Sequence, residues 1–193
     1  EFFGWIIPLH PERARIGLCG INNVKEHFSE FIRPYKKQVI HMASGTIPLG
    51  TLKRTYDDRI LIAGDAAAMA KPTSGGGVYT GIRAARHAAR VAISSIEKDD
   101  FSPSAMASYE TFWKKDFGHE IMNGLKLFKI RQQISSKEME HLIAILAHPS
   151  IRELITKKGD MDRPSALIKS LLTHPRIIPA HYLIGKAFVR SLF

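Results

Sequence analysis

Asp65 stands near the end of an apolar run, Ile60-Leu-Ile-Ala-Gly-Asp-Ala-Ala-Ala68, and Lys71-Pro-Thr-Ser-Gly-Gly-Gly77 follows it closely. A carboxylate there can accept hydrogen bonds from the hydroxyls of a sugar or ribityl chain. It is poorly placed against a phosphate, because like charges repel. Gly75, Gly76 and Gly77 carry no side chains, so the backbone can approach a flat ring or a phosphate closely. A helix starting near Val78 would bring its positive end, about +0.5 charge, to the same volume. That end favours an electron-rich or anionic group. A reduced flavin carries negative charge near N1 and the C2 oxygen, so the arrangement suits flavin chemistry in particular. The alternative is a plain strand-turn-helix, in which the glycines only shape the turn and Asp65 only caps the helix.

The elements that must position these residues follow from pattern. Ile60 to Ala63 is a short continuous apolar run, as in a strand covered on both faces. Val78, Ile82, Ala85, Ala89, Ala92 and Ile96 recur at helical spacing, which predicts a helix from Val78 to about Lys98. Its alanines would allow close packing on a sheet, with Arg83, His87 and Arg90 on the opposite side. Upstream, Phe2 to Leu9 and Arg13 to Cys19 read as an antiparallel hairpin joined by His-Pro-Glu-Arg. Asn23 is placed to cap a short helix carrying Val24, Phe28, Phe31 and Ile32, and Pro34 ends it. Gln38 to Ala43 is a third strand candidate, and Pro48 marks Ser44 to Gly50 as a loop or bent edge.

From Phe101 onward the pattern is helical. Ser102-Pro103 sets a cap before a first-turn proline. Tyr109, Phe112, Trp113 and Phe117 share an aromatic side that reads as core. Ser135-x-x-Glu138 and Ser150-x-x-Glu153 read as capping boxes, Gly159 as a helix end, and Pro164 and Pro179 as openings of two further helices. The expected organisation is 1–50, part of a sheet domain; 51–100, the strand-loop-helix around Asp65; and 101–193, a helical region. The fold class is α+β.

The chain has 193 residues, a formal charge of +10 and 45% hydrophobic residues, which fits an ordinary globular core. No apolar run is long enough to span a membrane. Cys19 is the only cysteine, so an intrachain disulfide framework is excluded and a reducing, cytoplasmic setting is expected. The nine histidines form no ligand pattern, and no metal site is expected. The positive charge admits contact with an anionic membrane surface, for which the mixed apolar and basic stretch Ala180 to Phe193 is suited. No nucleic-acid motif is visible, and a nucleic-acid partner is not expected. The opening run Glu1 to Ile7 reads like the middle of a sheet, so the chain is expected to be part of a longer protein.

Together, Ile60 to Ala89 resembles the second flavin-binding motif of the FAD-dependent family that includes aromatic hydroxylases and squalene epoxidase. Within it the chain is most similar to the geranylgeranyl reductases. Gly4-Trp-Ile-Ile-Pro8, Arg15-Ile-Gly-Leu18 and Gly45-Thr-Ile-Pro48 resemble segments of that family, over roughly the first 100 residues. Ile7 stands where Phe is usual, Ala68 where glycine is common, and Ala84-Ala85 where a Ser-Gly pair is common.

The resemblance implies a hydroxylase-like flavoprotein fold and FAD as cofactor. Gly64 and Asp65 would lie at the ribityl chain, with Pro72 and Gly75 to Gly77 against the pyrimidine side of the ring. Trp5 and Pro8 would line the cavity for an isoprenoid lipid substrate, whose isolated C=C bonds are reduced by reduced FAD. It also implies a partner: the N-terminal part of the same protein, whose Gly-x-Gly-x-x-Gly unit holds the ADP half. No residue is assigned as proton donor. Two rivals remain: a related flavin monooxygenase or dehydrogenase on another apolar substrate, and a non-catalytic basic module directed to lipid or nucleic acid.

Overall fold

A computed structural model describes residues 3–35 and 38–192, which form two compact units, Glu1–Thr46 and Ile47–Phe193. In the first, β1 (Gly4–His10) pairs antiparallel with β2 (Arg13–Leu18), as the hairpin reading expects; Phe2 lies outside the described residues. Trp5 faces Gly17 across the pair, and its indole covers the space a methyl on Gly17 would need. Helix α1 (Val24–Ile32) lays Phe31 over Gly4 in the same manner: a methyl on Gly4 would come within 2.8 Å of the ring. Asn23 does precede α1, but with φ +49° and no cap bond from its side chain. Residues 38–46 form no ladder, against the strand expected at Gln38 to Ala43, and Val39, Ile40 and Met42 are exposed. A strand exists only as a paired element, and no described segment pairs with this one.

The second unit is built around an aromatic helix. Strand β4 (Ile60–Leu61) pairs with β3 (Tyr56–Asp57); α3 (Pro103–Trp113) packs against this short hairpin and against α2 (Val78–Lys98). Tyr109, Trp113, Phe117, Met69, Met106, Val91 and Ile121 are the large members of the core. A π-helical turn, Lys114–Gly118, leads from α3 into α4 (His119–Gln132). Helices α5 (Ser136–Leu146), α6 (Pro149–Lys158), α7 (Ser165–Leu172) and α8 (Ile178–Arg190) add a smaller cluster around Ile151, Ile177 and Ala180.

Buried polar bonds tie the β3–β4 hairpin to α3. The Trp113 indole N–H donates to Thr55 Oγ1 at 2.9 Å, and Thr55 in turn donates from Oγ1 and N to Glu110 Oε2 at 3.0 and 2.8 Å. The Tyr109 hydroxyl donates to the Ile62 carbonyl at 2.7 Å, and burial pushes its pKa up to about 12.

Several helix starts follow the sequence signals. Ser102 caps α3, and Ser135 with Glu138 forms a complete capping box on α5. The second expected box, at Ser150, is replaced: α6 starts at Pro149, and the His148 ring accepts from the Ser150 N–H. A proline at the first helical position fixes the start two residues earlier.

Helix α2 spans the expected residues but buries a different face. Thr80, Ala84, Val91 and Ser95 are buried against the core. Of the stripe expected to face the core, Val78, Ile82, Ala85, Ala89 and Ile96 are exposed, with Val78 at 79% and Ile96 at 67%, and Ala92 is half-buried; Ile93 joins the outward stripe in its place. Small residues win the core face because α2 and α3 approach closely. The stripe runs about 27 Å along the helix without a charge. Likewise Ile60, expected to be covered on both faces, is half exposed. Among the described residues, no helix is long and apolar enough to cross a membrane.

Candidate functional site

The strand delivers Asp65 into a 3-10 turn, Gly64–Ala67. Gly64 has φ +66°, and its Cα lies 3.8 Å from where a methyl on Gly81 would sit, so the turn meets the first turns of α2 backbone to backbone. Ala68 closes the turn at φ +55°, with its N–H donating to the Asp65 carbonyl at 2.9 Å. Turn and helix thereby bring the Asp65 carboxylate against Gly77: a methyl there would overlap Asp65 Oδ1 and lie 3.5 Å from Cγ.

Asp65 is exposed, and among the described residues no hydrogen bond or ion pair reaches its carboxylate. It does not cap α2, since no N–H of that helix's first turn is bonded to its carboxylate. The helix's first internal bond runs from the Gly81 N–H to the Gly77 carbonyl, at 2.8 Å. The N–H groups of 78–80 therefore have no acceptor within the helix. An acceptor carboxylate and a set of donor N–H groups stand side by side. Those are the groups a polyol joined to an electron-rich ring requires, and the missing side chain of Gly77 is what lets the carboxylate lie so close to the helix start. The residues present fit the cofactor that the sequence implies.

The glycine loop closes on Lys71. Its N–H donates to the Gly76 carbonyl at 3.0 Å, and its own carbonyl accepts from the Gly75 N–H at 2.8 Å. Gly75 has φ +71°, where a side chain is strained. Pro72 is placed differently from the expectation of a ligand contact: it is fully buried, and a methyl on Gly124 would come within 3.2 Å of its ring. Pro72 therefore shapes the loop from within, and Gly75 to Gly77 form its outer surface. Trp5 and Pro8 belong to the other compact unit; Trp5 covers Gly17 at 37% exposure, and Pro8 lies exposed opposite Ala14.

Arg83 and His87 do not lie on a solvated side. Asp116, from the π-helical turn, accepts from Arg83 Nε and Nη2 at 2.6 Å each and contacts His87 Nε2 at 3.0 Å. The Arg83 bonds hold the Asp116 carboxyl below its ordinary range, against the opposing effect of burial. Glu110 is also lowered: burial pushes it up, but bonds from Lys114 and Thr55 outweigh that. A depressed folded-state pKa gives stability that is complete above the unfolded value, about 4, and is lost as pH falls through the folded value. The denaturation midpoint should therefore drop progressively below pH 4, and Asp116→Asn should flatten that drop. Superimposable acid profiles for wild type and variant would refute the assignment. Sequence reasoning missed this cluster. Its local signal was the i,i+4 pair Arg83 and His87 on the side of α2 that also carries Thr80 and Ala84.

No protein-family profile matches the chain. A solved geranylgeranyl bacteriochlorophyll reductase-like protein from Thermoplasma acidophilum superposes with a TM-score of 0.73 at 21% identity, over 93% of this chain and 47% of that one. The fold is thus the α+β fold of a geranylgeranyl reductase-like protein.

Among curated relatives, digeranylgeranylglycerophospholipid reductase 2 of Methanopyrus kandleri is 31% identical over 180 residues, 83% of this chain and 45% of its own length. The Methanocaldococcus jannaschii digeranylgeranylglycerophospholipid reductase is 31% identical over 81% of this chain and 45% of its own. An uncharacterized protein of Methanocaldococcus jannaschii is 35% identical over 86% of this chain and 44% of its own. The chain belongs to the geranylgeranyl reductase family. It spans about 45% of the length of the curated relatives it matches.

Proposed function

We propose that this chain is part of an FAD-dependent oxidoreductase that reduces C=C bonds in the geranylgeranyl chains of isoprenoid lipids. The observation that carries the flavin assignment is the unengaged Asp65 carboxylate pressed against side-chain-free Gly77 at the start of α2. A bound flavin would supply the hydride. The chain's own residues would bind and orient: Asp65 accepts from ribityl hydroxyls, Gly75 to Gly77 give the ring a bare surface, and the N–H groups of 78–80 face its electron-rich edge. The named relatives, both reductases acting on digeranylgeranyl lipid by their names, support the substrate class. Trp5 and Pro8, exposed on the hairpin, are the proposed contacts for the prenyl chain. The test is the full-length protein. It should show a flavin absorbance spectrum and, once reduced without oxygen, should be reoxidised by a geranylgeranyl lipid. A colourless full-length protein that takes up no added FAD would defeat the reading.

The same reading gives the outward stripe of α2 a partner. We infer that the FAD-binding N-terminal part of the full-length protein packs over Val78, Ile82, Ala85, Ala89, Ile93 and Ile96. A charge-free stripe of this length is unusual on a water-facing helix, and more than half of each relative's length lies outside this chain. Replacing Ile82 and Ile93 together with Asp in the full-length protein should lower stability by several kcal/mol, because each would bury a charge. Exposed positions would tolerate the change within about 0.5 kcal/mol. An unchanged melting temperature would show that the stripe stays uncovered.

A further inference from the structure

The glycine loop is gripped from behind by a segment far away in sequence. The Lys71 ammonium lies 2.5 Å from Asp162 Oδ1 and 3.3 Å from the Met161 carbonyl, with its side chain only 16% exposed. Asp162 is itself fixed, because Asp160 Oδ1 accepts from the N–H groups of Asp162 and Arg163 at 2.7 and 3.1 Å. Just beyond, Ser165 donates to Glu120 of α4 from both N and Oγ. The loop glycines offer no side chain to hold, so Lys71 is the loop's handle. Its backbone closes the loop onto Gly76, and its stem lies 3.3 Å from where a Gly76 methyl would be. Its ammonium nitrogen is 3.7 Å from that same point. A cation therefore stands beside Gly76, within the loop assigned to the flavin ring, and one carboxylate answers it.

We propose that Lys71 and Asp162 are positioning residues of the flavin site: their ion pair fixes the glycine loop, and Asp162 restrains the field that the Lys71 ammonium exerts on the ring. The proposal rests on the flavin reading above. It assigns to the helical C-terminal region a part in tuning the cofactor.

The physical reason is the sign of the charge. Reduction adds negative charge to the ring, and a nearby cation favours that state. Asp162 opposes the effect by pairing with the ammonium. Removing the carboxylate should make the flavin easier to reduce, and removing the ammonium should make it harder. Loss of the pair in either way should also loosen the loop and weaken FAD binding.

The experiment uses full-length protein carrying Asp162→Asn, Asp162→Glu or Lys71→Met, with FAD titration and flavin midpoint potentials. We expect FAD dissociation constants raised about tenfold in Asp162→Asn and Lys71→Met, and within twofold of wild type in Asp162→Glu. The midpoint potential should rise in Asp162→Asn and fall in Lys71→Met. Shifts of the same sign, or wild-type affinity and potential in both, would overturn the proposal. A merely structural brace would not produce opposite signs. Wild-type protein that binds no FAD would remove the flavin reading itself, an outcome separate from a flavin-binding protein indifferent to these substitutions.

Discussion

Asp65→Ala in the full-length protein is expected to weaken FAD binding by about 100-fold, with little change in melting temperature. The size follows from the bonds lost. A hydrogen bond to a charged group is worth about 1.5–3 kcal/mol, and a carboxylate at the ribityl chain accepts one or two. Two of the weaker kind, or one of the stronger, correspond to about 100-fold in affinity. The small effect on stability follows from the environment: Asp65 is exposed, and no described residue bonds its side chain. Gly77→Ala should imitate the loss of affinity by a different route, since its methyl would drive the carboxylate out of position. Titration of the apoprotein with FAD, followed by flavin fluorescence, measures both. Wild-type FAD affinity in Asp65→Ala would show that the carboxylate does not hold the ribityl chain, whatever the function of the rest of the protein.

Part of this architecture was legible in the chain because it is written locally. A proline after a serine fixes the start of α3, and the glycines before Val78 fix the start of α2. The aromatic spacing from Tyr109 to Phe117 finds the core, because large rings at helical intervals have few other places to go. The buried face of α2 was not legible for the opposite reason. Hydrophobic periodicity identifies the most apolar side of a helix, but it cannot say which partner covers that side. Here the smaller residues Thr80, Ala84 and Ser95 are the buried ones, and the isoleucines are left for another surface. The pairs Arg83–Asp116 and Lys71–Asp162 join residues 33 and 91 positions apart, and no local spacing signals them. Around Asp65 the sequence supplied the chemical groups and their order. It left open whether the carboxylate capped the helix; among the described residues no helix N–H is bonded to it.

The largest loss of stability should come from Trp113→Ala, at about 3–5 kcal/mol, the usual cost of truncating a buried aromatic. Trp113 is 1% exposed and touches Phe117 with ring centroids 5.7 Å apart. Its removal would open a void that the surrounding helices can only partly close. It would also take away the donor to Thr55 Oγ1, one link in the chain from Trp113 through Thr55 to Glu110. Trp113→Phe keeps most of the ring and should lose less than half as much, chiefly the buried N–H donor's bond.

The consequence reaches the site, because Thr55 holds the segment that leads from β4 to Asp65: its carbonyl accepts from the Ile62 N–H at 2.9 Å. When α3 loosens, that strand loses its support, and the distance from Asp65 to Gly77 is no longer fixed. Urea unfolding of the full-length protein should therefore show a midpoint that falls in the order wild type, Trp113→Phe, Trp113→Ala, with FAD retention falling in the same order. Equal stability for the alanine and phenylalanine variants would mean that the ring's volume contributes little to this core. Loss of stability with FAD affinity intact would mean that the strand holds Asp65 in place without help from α3.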